Sequence, residues 1–179
     1  MNDYVIITER LGLRRWKEDD IIPFAAMNED PEVMRYFPST LRYDETIAMV
    51  NKIQSHFDQH GFGLFALEDL STKEFIGYTG FMIPSFTSYF TPCVEIGWRL
   101  RRSSWNKAYA TEAGKACLHY GFEILNFEKI FSFTSVLNTR SEKVMQRIGM
   151  TKFGEFDHPN IESSHPLCHH VVYIADNKK

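Results

Sequence analysis

The sequence predicts an α/β protein, a single domain in which strands and helices alternate around a central β-sheet. Strand-like and helix-like segments alternate along the chain, which is the first observation behind this prediction. The second is that 179 residues, 44% of them hydrophobic and 24% charged, suffice for one buried core. The third is the lack of any repeat, low-complexity segment or linker, so we expect residues 1–179 to form one domain.

The first sixty residues predict one strand followed by helices. Apolar and polar residues alternate within Val5–Trp16, which is typical of a half-buried strand. The acids at 18–20 then precede apolar residues at helical intervals, an arrangement that favours a helix start. Pro31 and Pro38 bracket another short helical piece, and Asp44–His60 carries an apolar stripe at helical spacing. We therefore expect a strand, two short helices and one long helix here.

The rest of the chain predicts strands interleaved with two helices. A turn-like segment at 69–73 separates the first two strands, which favours a hairpin. In chain order we expect strands at Gly63–Leu67, Phe75–Ile83 and Pro92–Leu100, a helix through Ala110–Ile124, a strand at Lys129–Val136, a helix at Thr139–Ile148 and a last strand at His169–Ala175.

Charge and cysteine usage narrow the classes of partner. Twenty basic and 23 acidic side chains give a formal net charge of -3, which provides no general attraction to nucleic acid or to an anionic membrane. The N-terminal segment lacks the regions of a secretory signal, and no apolar run is long enough to cross a bilayer. The three cysteines lack the spacing of a disulfide framework or a zinc site. We therefore expect a cytoplasmic protein that binds neither nucleic acid nor membrane.

One junction in the second half has the chemistry of an anion site. The strand that ends at Leu100 runs through a short basic loop into Trp105–Ala113, which opens a helix. A helix start presents unpaired backbone N–H groups and the positive end of the helix dipole. Small side chains leave room for a phosphate to approach the main chain, and no proline between 103 and 118 removes an amide. The junction therefore predicts a phosphate-binding loop.

The same junction resembles the cofactor loop of the GNAT superfamily of acyl-CoA-dependent N-acetyltransferases. The family writes this loop as Arg/Gln-x-x-Gly-x-Gly/Ala. The RimJ/RimL-like branch, named for enzymes that acetylate ribosomal-protein N-termini, commonly reads Trp-Gly-Lys-Gly-Tyr-Ala-Thr-Glu-Ala, which aligns without gaps on Trp105–Ala113. Asn106 and Ala108 replace the two glycines. Because Asn tolerates positive φ and Ala adds only a methyl group, we expect the loop to keep its shape with less room at the pyrophosphate.

Further segments match the branch in family order, so the resemblance covers nearly the whole chain. Asn138-x-x-Ser141, followed by Arg147–Met150, resembles the family segment in which the Asn contacts the pantetheine arm and the Ser lies near the sulfur. The resemblance implies a GNAT-like fold, with helices on both faces of a mixed central sheet. This sheet is splayed between two parallel strands, with acetyl-CoA in the splay. The remaining matches are Phe90–Trp98, which resembles the fourth strand of the branch, and the tail pieces Phe156–Pro159, His165–Leu167 and His170.

The resemblance also implies which residues bind acetyl-CoA. They lie at the end of one strand, in the loop, at the start of the next helix and in the later Asn-x-x-Ser segment. The matching positions are Trp98, Arg99, Leu100, Trp105, Asn106, Lys107, Ala108, Tyr109, Ala110, Thr111, Asn138 and Ser141.

Acetyl transfer to an amine requires a base near the thioester, since amines with a pKa of about 8 to 10 are protonated at neutral pH. Glu95 lies on the strand that the family splays beside the acetyl group, and burial among aromatic residues raises the pKa of a carboxylate. We predict that Glu95 is the base, directly or through water, and that Ser141 protonates or solvates the departing thiolate. The predicted activity is direct acetyl transfer to a primary amine, on a protein N-terminus or a small molecule, without a covalent enzyme intermediate.

Other interpretations of these residues stay open. Glu95 can instead be solvated or paired with Arg99 on the same strand. The polar residues at 138–141 can serve only to start a helix, because Thr139-x-x-Glu142 reads as a capping box. For function, the alternatives are an acyl-CoA-binding sensor with weak or no catalysis, and a domain that shares only the architecture. A homodimer is common in the family, and the acceptor amine stays open.

Two remaining groups of side chains receive simpler interpretations. The run His165-x-x-Cys168-His169-His170 suggests metal ligands, but adjacent histidines on a strand point to opposite faces, so we expect no metal. Aromatic residues crowd the segment before the strand of Glu95, where we expect the acceptor pocket. They are Phe81, Phe86, Tyr89 and Phe90.

Overall fold

An eight-stranded sheet of mixed direction forms the centre of the computed structural model, which describes residues 3–177. The strands are β1 (Tyr4–Ile7), β2 (Leu11–Arg14), β3 (Leu64–Asp69), β4 (Phe75–Met82), β5 (Glu95–Leu100), β6 (Lys129–Ser135), β7 (Thr151–Asp157) and β8 (His169–Asp176). They lie side by side in the order β1-β2-β3-β4-β5-β6-β8-β7. The helices are α1 (Ile21–Glu29), α2 (Tyr43–His60), α3 (Tyr109–Glu123) and α4 (Thr139–Arg147), with short 3-10 turns at Glu18–Asp20 and Arg102–Ser104.

The sheet opens between its two central strands. β5 and β6 run parallel, whereas the other neighbouring strands are antiparallel. β5 and β6 share only the pairing of Glu95 with Phe131. The Phe131 N–H donates to the Val94 carbonyl at 2.8 Å, and the strands then separate toward Leu100 and Ser135. The predicted fold, a mixed sheet splayed between two parallel strands, is confirmed.

Helices pack on both faces of this sheet, as predicted. On one face, Gly121 of α3 lies so close to Ile130 and Phe81 that a Cβ at Gly121 would stand 2.8 and 2.9 Å from them. On the other face, Phe24 of α1 makes an edge contact with Tyr78 of β4, at 5.9 Å between ring centres. No helix within residues 3–177 has the length and apolar character that crossing a membrane requires.

Most elements match the sequence prediction. The long helix ends as expected at Gly61, whose φ of 77° places it in the left-handed region that glycine adopts freely. Pro23 lies in the first turn of α1, where a missing N–H costs nothing. The 64–82 hairpin, α3, β6, α4 and β8 all lie within two residues of their predicted bounds.

Two predictions of secondary structure are wrong, and one strand was missed. Val5–Trp16 forms two strands instead of one, because the Thr8 N–H donates to the Leu11 carbonyl and turns the chain. The segment between Pro31 and Pro38 contains turns and bends but no helix. β7 was not predicted, because this edge strand is mostly exposed and Gly154 interrupts its apolar pattern. β5 also begins three residues later than predicted, after a cis peptide at Thr91-Pro92.

Candidate active site

Two helices begin at the open end of the splay. β5 leads through the 3-10 turn into α3, and β6 leads directly into α4. Both helix starts therefore lie beyond the ends of the two strands that separate. Because a helix start carries a partial positive charge and free N–H groups, this end of the sheet favours an anionic ligand.

The loop before α3 has an unusual backbone. Asn106 and Ala108 both have a φ of 61°, a left-handed conformation that non-glycine residues seldom adopt. The first helical bond runs from the Glu112 N–H to the Ala108 carbonyl at 3.0 Å. The N–H groups of residues 106–111 have no acceptor within the described part of the chain. The two substituted positions therefore keep a glycine-type backbone, and six consecutive amides remain available to a ligand.

Side chains brace this loop from three directions. The Trp105 indole N–H donates to the Leu100 carbonyl at 2.9 Å, which ties the loop to the end of β5. The Tyr109 hydroxyl donates to Asp69 Oδ2 at 2.9 Å, and hydrogen bonds from Ser71 and Tyr109 lower the pKa of Asp69 to about 2. The Arg140 guanidinium of α4 lies 4.9 Å from the centre of the Trp105 ring. Because the ring of Tyr109 is buried, only the main chain of this residue is available to a cofactor.

The residues around the loop suit a phosphate-bearing cofactor. Lys107 and Arg102 are exposed beside the free amides. Arg101, by contrast, is engaged with Glu74 and Ser104. Trp98 and Leu100 lie on the α3 face of β5, since Trp98 is opposite Thr79, the residue that contacts Cys117 of α3. Free amides, small side chains and nearby cations together fit the phosphates of CoA.

Arg99 does not lie on this side. Successive side chains of a strand point to opposite faces, so Arg99 faces away from α3. Its Nη1 donates to Asn28 Oδ1 of α1 at 2.6 Å, and its guanidinium carbon lies 4.1 Å from the centre of the Phe37 ring. The Arg99 side chain is therefore not available to the cofactor loop, which corrects the expectation from the sequence.

The start of α4 is capped by Asn138. Its Oδ1 accepts the Ser141 N–H at 3.2 Å, and its Nδ2 donates to Thr134 Oγ1 at 3.0 Å. The cap is thus one residue earlier than the Thr139-x-x-Glu142 box suggests. The Asn138 side chain has a structural role, whereas the half-buried Ser141 lies one turn into α4 and contributes its backbone N–H to the cap.

Glu95 lies where the splay begins. Burial alone raises the pKa of its carboxyl group to about 8, a shift that no nearby cation offsets. Within residues 3–177, the carboxylate forms neither a hydrogen bond nor an ion pair, so the alternative of a pair with Arg99 is not formed. The adjacent Phe131 belongs to an aromatic cluster with Phe90. Glu95 is thus a half-buried acid with a raised pKa and no partner within residues 3–177, at the point where the two strands part.

Two paired glycines lie beside Glu95 on the face of the sheet away from α3. Gly97 follows Glu95 on the same face of β5, and Gly80 pairs with it from β4. A Cβ atom added at Gly97 would have only Glu95 Oε1 within 4 Å, at 3.9 Å. The pairs Met82–Glu95 and Tyr78–Arg99 border these two glycines. We call this surface the glycine trough.

The aromatic residues before β5 cover the neighbouring part of the sheet. Phe86 and Phe90 form a second apolar cluster with Phe131, Phe133 and Phe156, whereas Phe81 belongs to the main core. The histidines of the tail do not gather ligands, and no group of three or more metal-ligating side chains occurs in the described residues. Two surface concavities, one beside Asn126 and Asp176 and one beside Arg14 and Lys73, lie away from Glu95.

Comparison with known proteins gives the family. Residues 10–151 match the family described as the acetyltransferase (GNAT) domain. The Bacillus subtilis (strain 168) protein YkkB is 34% identical over 146 residues, which are 81% of this chain and 84% of that protein. YnaD of the same strain, named an uncharacterized N-acetyltransferase, is 30% identical over 152 residues, 84% of this chain and 85% of its own.

Solved structures share the fold. A GNAT-family acetyltransferase from Bacillus anthracis has a TM-score of 0.81 and 26% identity, covering 97% of this chain and 99% of its own. Spermidine N-acetyltransferase from Vibrio cholerae, solved in complex with CoA and spermine, has a TM-score of 0.76 and 20% identity, covering 96% and 98%. The family match includes the splay, the loop before α3 and all of α4. The chain therefore belongs to the GNAT family of acetyltransferases.

Proposed function

We propose that this protein transfers the acetyl group of acetyl-CoA directly to a primary amine, with Glu95 as the base. The observation that carries the proposal is the position of Glu95, desolvated, unpartnered and at the start of the splay. A carboxyl group with a pKa of about 8 is, once ionised in mildly alkaline solution, basic enough to accept a proton from a bound ammonium group. Because the amine itself attacks the thioester, the reaction needs no covalent enzyme intermediate.

The backbone of β5 supports a role in polarising the thioester carbonyl. The carbonyls of Val94 and Leu100 form hydrogen bonds on the side of β5 away from β4. Trp98 has the same position in the strand alternation, so its N–H is directed into the splay, where β6 has separated. We assign the Trp98 N–H as donor to the carbonyl oxygen, where negative charge develops during attack. Ser141, at the start of α4, supplies a proton to the departing thiolate.

The loop before α3 provides the binding site for the cofactor in this proposal. The amides of residues 106–111 hold the pyrophosphate, with Lys107 beside them. The route from this loop to the splay is lined by Trp98, Leu100, Trp105 and Asn138. When bound, acetyl-CoA supplies the activated acetyl group, and the residues of the chain orient it.

Acetyl-CoA-dependent thiol release over a panel of amines tests this function. We expect turnover with some amines, and we expect Glu95→Gln to lower kcat by roughly 100-fold or more. Calorimetric titration with acetyl-CoA is the control, because Glu95 lies away from the phosphates and the variant should bind within about threefold of the wild type. If Glu95→Gln loses cofactor binding and turnover in the same proportion, Glu95 is not the base.

The same assay separates the second candidate function. An acyl-CoA sensor binds the cofactor but transfers no acetyl group to any amine of the panel, and the replacement of two loop glycines by Asn106 and Ala108 motivates this alternative. Within the family, we propose the RimJ/RimL-like branch, supported by the wording of the segments at 90–98 and 105–113. The homodimer, the cytoplasmic location and the lack of a nucleic-acid or membrane partner stay predictions from the sequence.

A further inference from the structure

Arg99 is a buried cation whose contacts within residues 3–177 are with neutral groups. It is 7% exposed, its Nη1 donates to Asn28 Oδ1 at 2.6 Å, and its Nε has no hydrogen-bond acceptor. No carboxylate within residues 3–177 forms an ion pair with it. Burying a charge without a counterion is costly, and a buried N–H without an acceptor adds to that cost. An anion that reaches Arg99 would relieve both.

A second buried arginine of the same sheet shows how the fold balances such a charge elsewhere. Arg14 of β2 is 4% exposed and binds two carboxylates. Its Nη1 and Nη2 donate to Asp20 at 2.7 and 2.9 Å, and its Nε donates to Glu68 at 2.9 Å. Arg99 is nearly as buried but has no such partner. The difference indicates that the counterion of Arg99 comes from outside residues 3–177.

The surroundings of Arg99 fix its guanidinium before any ligand arrives. Asn28 is fully buried, and its Nδ2 donates to Thr46 Oγ1 at 3.1 Å, which turns its carbonyl oxygen toward Arg99. The rings of Phe37 and Tyr78 lie 4.1 and 5.4 Å from the guanidinium carbon. Aromatic rings stack on a guanidinium without neutralising it. The group is therefore preorganised and still carries its charge.

Arg99 and Glu95 border the same surface. They lie four residues apart on β5, so both side chains are on the face away from α3, with about 13 Å between their Cα atoms. Between them lies the glycine trough, where Gly97 leaves space above the backbone of β5, whereas Gly80 is buried against β3. A molecule in this trough has Glu95 at one end and Arg99 at the other.

We propose that Arg99 binds a carboxylate of the acceptor, so that the substrate is an amine that also carries a carboxylate. This inference rests on the proposed function, because it assumes that Glu95 marks the amine end of the trough. Arginine suits the task, since its planar fork donates two parallel hydrogen bonds to a carboxylate. Asn28 acts as a positioning residue, which directs the guanidinium without contacting the substrate.

Matched acceptors that differ only in the carboxylate test the proposal on the wild-type protein. Suitable pairs are glycylglycine with glycylglycinamide, and aminohexanoate with its amide, each assayed for acetyl-CoA-dependent thiol release. We expect the carboxylate member of a pair to have a kcat/KM roughly 10- to 100-fold higher, the range of one charge-assisted hydrogen-bonding group. Equal or better use of the neutral members overturns the anchor and leaves the acetyltransferase activity intact.

Two variants assign the preference to Arg99. Arg99→Met keeps an unbranched side chain that can fill most of the buried stem and removes the charge, so the preference should fall to about one through a higher KM for the carboxylate acceptor. Asn28→Asp keeps Arg99 but places a carboxylate at the 2.6 Å contact, so it should abolish the preference as well. The neutral acceptors report in each variant whether turnover itself survives the substitution. A preference that survives both substitutions contradicts the assignment.

A binding measurement without turnover separates failure of the anchor from failure of the function. Hexanoate, a carboxylate without an amine, should raise the thermal unfolding temperature of the wild type but not that of Asn28→Asp. If hexanoate protects the wild type and no amine is acetylated, the anchor stands and the proposed function fails. If amines are acetylated and hexanoate neither protects nor competes, the anchor fails. Should Arg99→Met not fold, the matched acceptors and Asn28→Asp still decide.

Discussion

In the proposed function, the two sides of β5 bind their ligands by different means. The side that faces α3 uses consecutive backbone amides at residues 106–111, presented by one stretch of chain. The opposite side uses side chains from several elements, and the bond between Asn28 and Arg99 joins residues 71 positions apart. Backbone amides hold any phosphate of suitable shape, whereas a trough lined by side chains selects one acceptor over another. In the proposed function, the cofactor side therefore depends on local backbone, and the acceptor side depends on side chains that the fold brings together.

Filling the trough should give the largest effect and should affect one side only. Gly97→Val places a branched side chain where a Cβ finds only Glu95 Oε1 within 4 Å, so the fold accommodates it. Displacing an acceptor by about 1 Å costs on the order of 100-fold in rate, so kcat/KM for the amine should fall at least that far. Acetyl-CoA affinity, measured by calorimetry, should change less than about twofold.

Ala110→Val is the matched control for that substitution. Ala110 lies in the first turn of α3, among the free amides, so a larger side chain there should weaken acetyl-CoA binding. If both variants lose cofactor and acceptor binding equally, the two sides of β5 are not independent, and the comparison fails.

The pH dependence of the reaction should also distinguish the acceptor side of β5 from the cofactor side. With an alkylamine of pKa about 10, wild-type kcat/KM should rise roughly tenfold per pH unit and level off near the Glu95 pKa of about 8. The kcat/KM of Glu95→Gln should not level off there and should instead keep rising through pH 8 with the fraction of free amine. Acetyl-CoA affinity should not follow this rise, because no phosphate contact involves Glu95.

Unfolding experiments test the same ionisation through stability, which this group lowers as pH rises, whereas kcat/KM increases. The pKa of Glu95 is raised on folding, so the native state holds the proton more tightly, and this group lowers stability as pH rises from 4.5 to about 8. Glu95→Gln should therefore lose less stability across that range than the wild type. A pH profile of unfolding that is the same in both proteins would show that Glu95 is not desolvated.

The cofactor side was predictable from sequence because it is local. The strand, loop and helix start follow one another, and left-handed backbone at Asn106 agrees with the expectation for the glycine position it occupies. The Asn138 segment was predictable as a helix start, but the capping residue was misassigned, since two adjacent polar residues both suit a cap. Local chemistry thus determines most of this side.

The acceptor side was not predictable in the same way. The neighbours of Arg99 come from α1, the turn at Phe37 and β4, and no local pattern brings them together. One signal was available: Arg99 has the same position as Glu95 in the strand alternation, so it could not share a face with Trp98. The resemblance to the family loop instead favoured the cofactor side for all three residues at the end of β5, although alternation places the middle one on the opposite face.

Removing one brace of the loop should have a smaller effect. Tyr109→Phe deletes the hydroxyl that donates to Asp69 at 2.9 Å, and it should lower the free energy of unfolding by about 1 kcal/mol. Because Tyr109 starts α3, acetyl-CoA affinity should also fall a few-fold, while the carboxylate preference among acceptors stays unchanged. Denaturant unfolding and calorimetry measure the first two, and the matched acceptors measure the third. A change in that preference would contradict the separation of the two sides.

The smallest expected effects are gains at the two positions where the loop departs from glycine. Ala108 holds a φ of 61° without the local hydrogen bonding that helps Asn, so Ala108→Gly should raise the free energy of unfolding by about 1 kcal/mol. Asn106→Gly, at the same φ, should raise it by only about 0.3 kcal/mol, since Asn adopts this conformation more readily. Denaturant unfolding measures both, and calorimetry should show tighter acetyl-CoA binding for Ala108→Gly, where a methyl group is removed beside the free amides. Should Asn106→Gly be the more stabilising of the two, strain at Ala108 does not limit this loop.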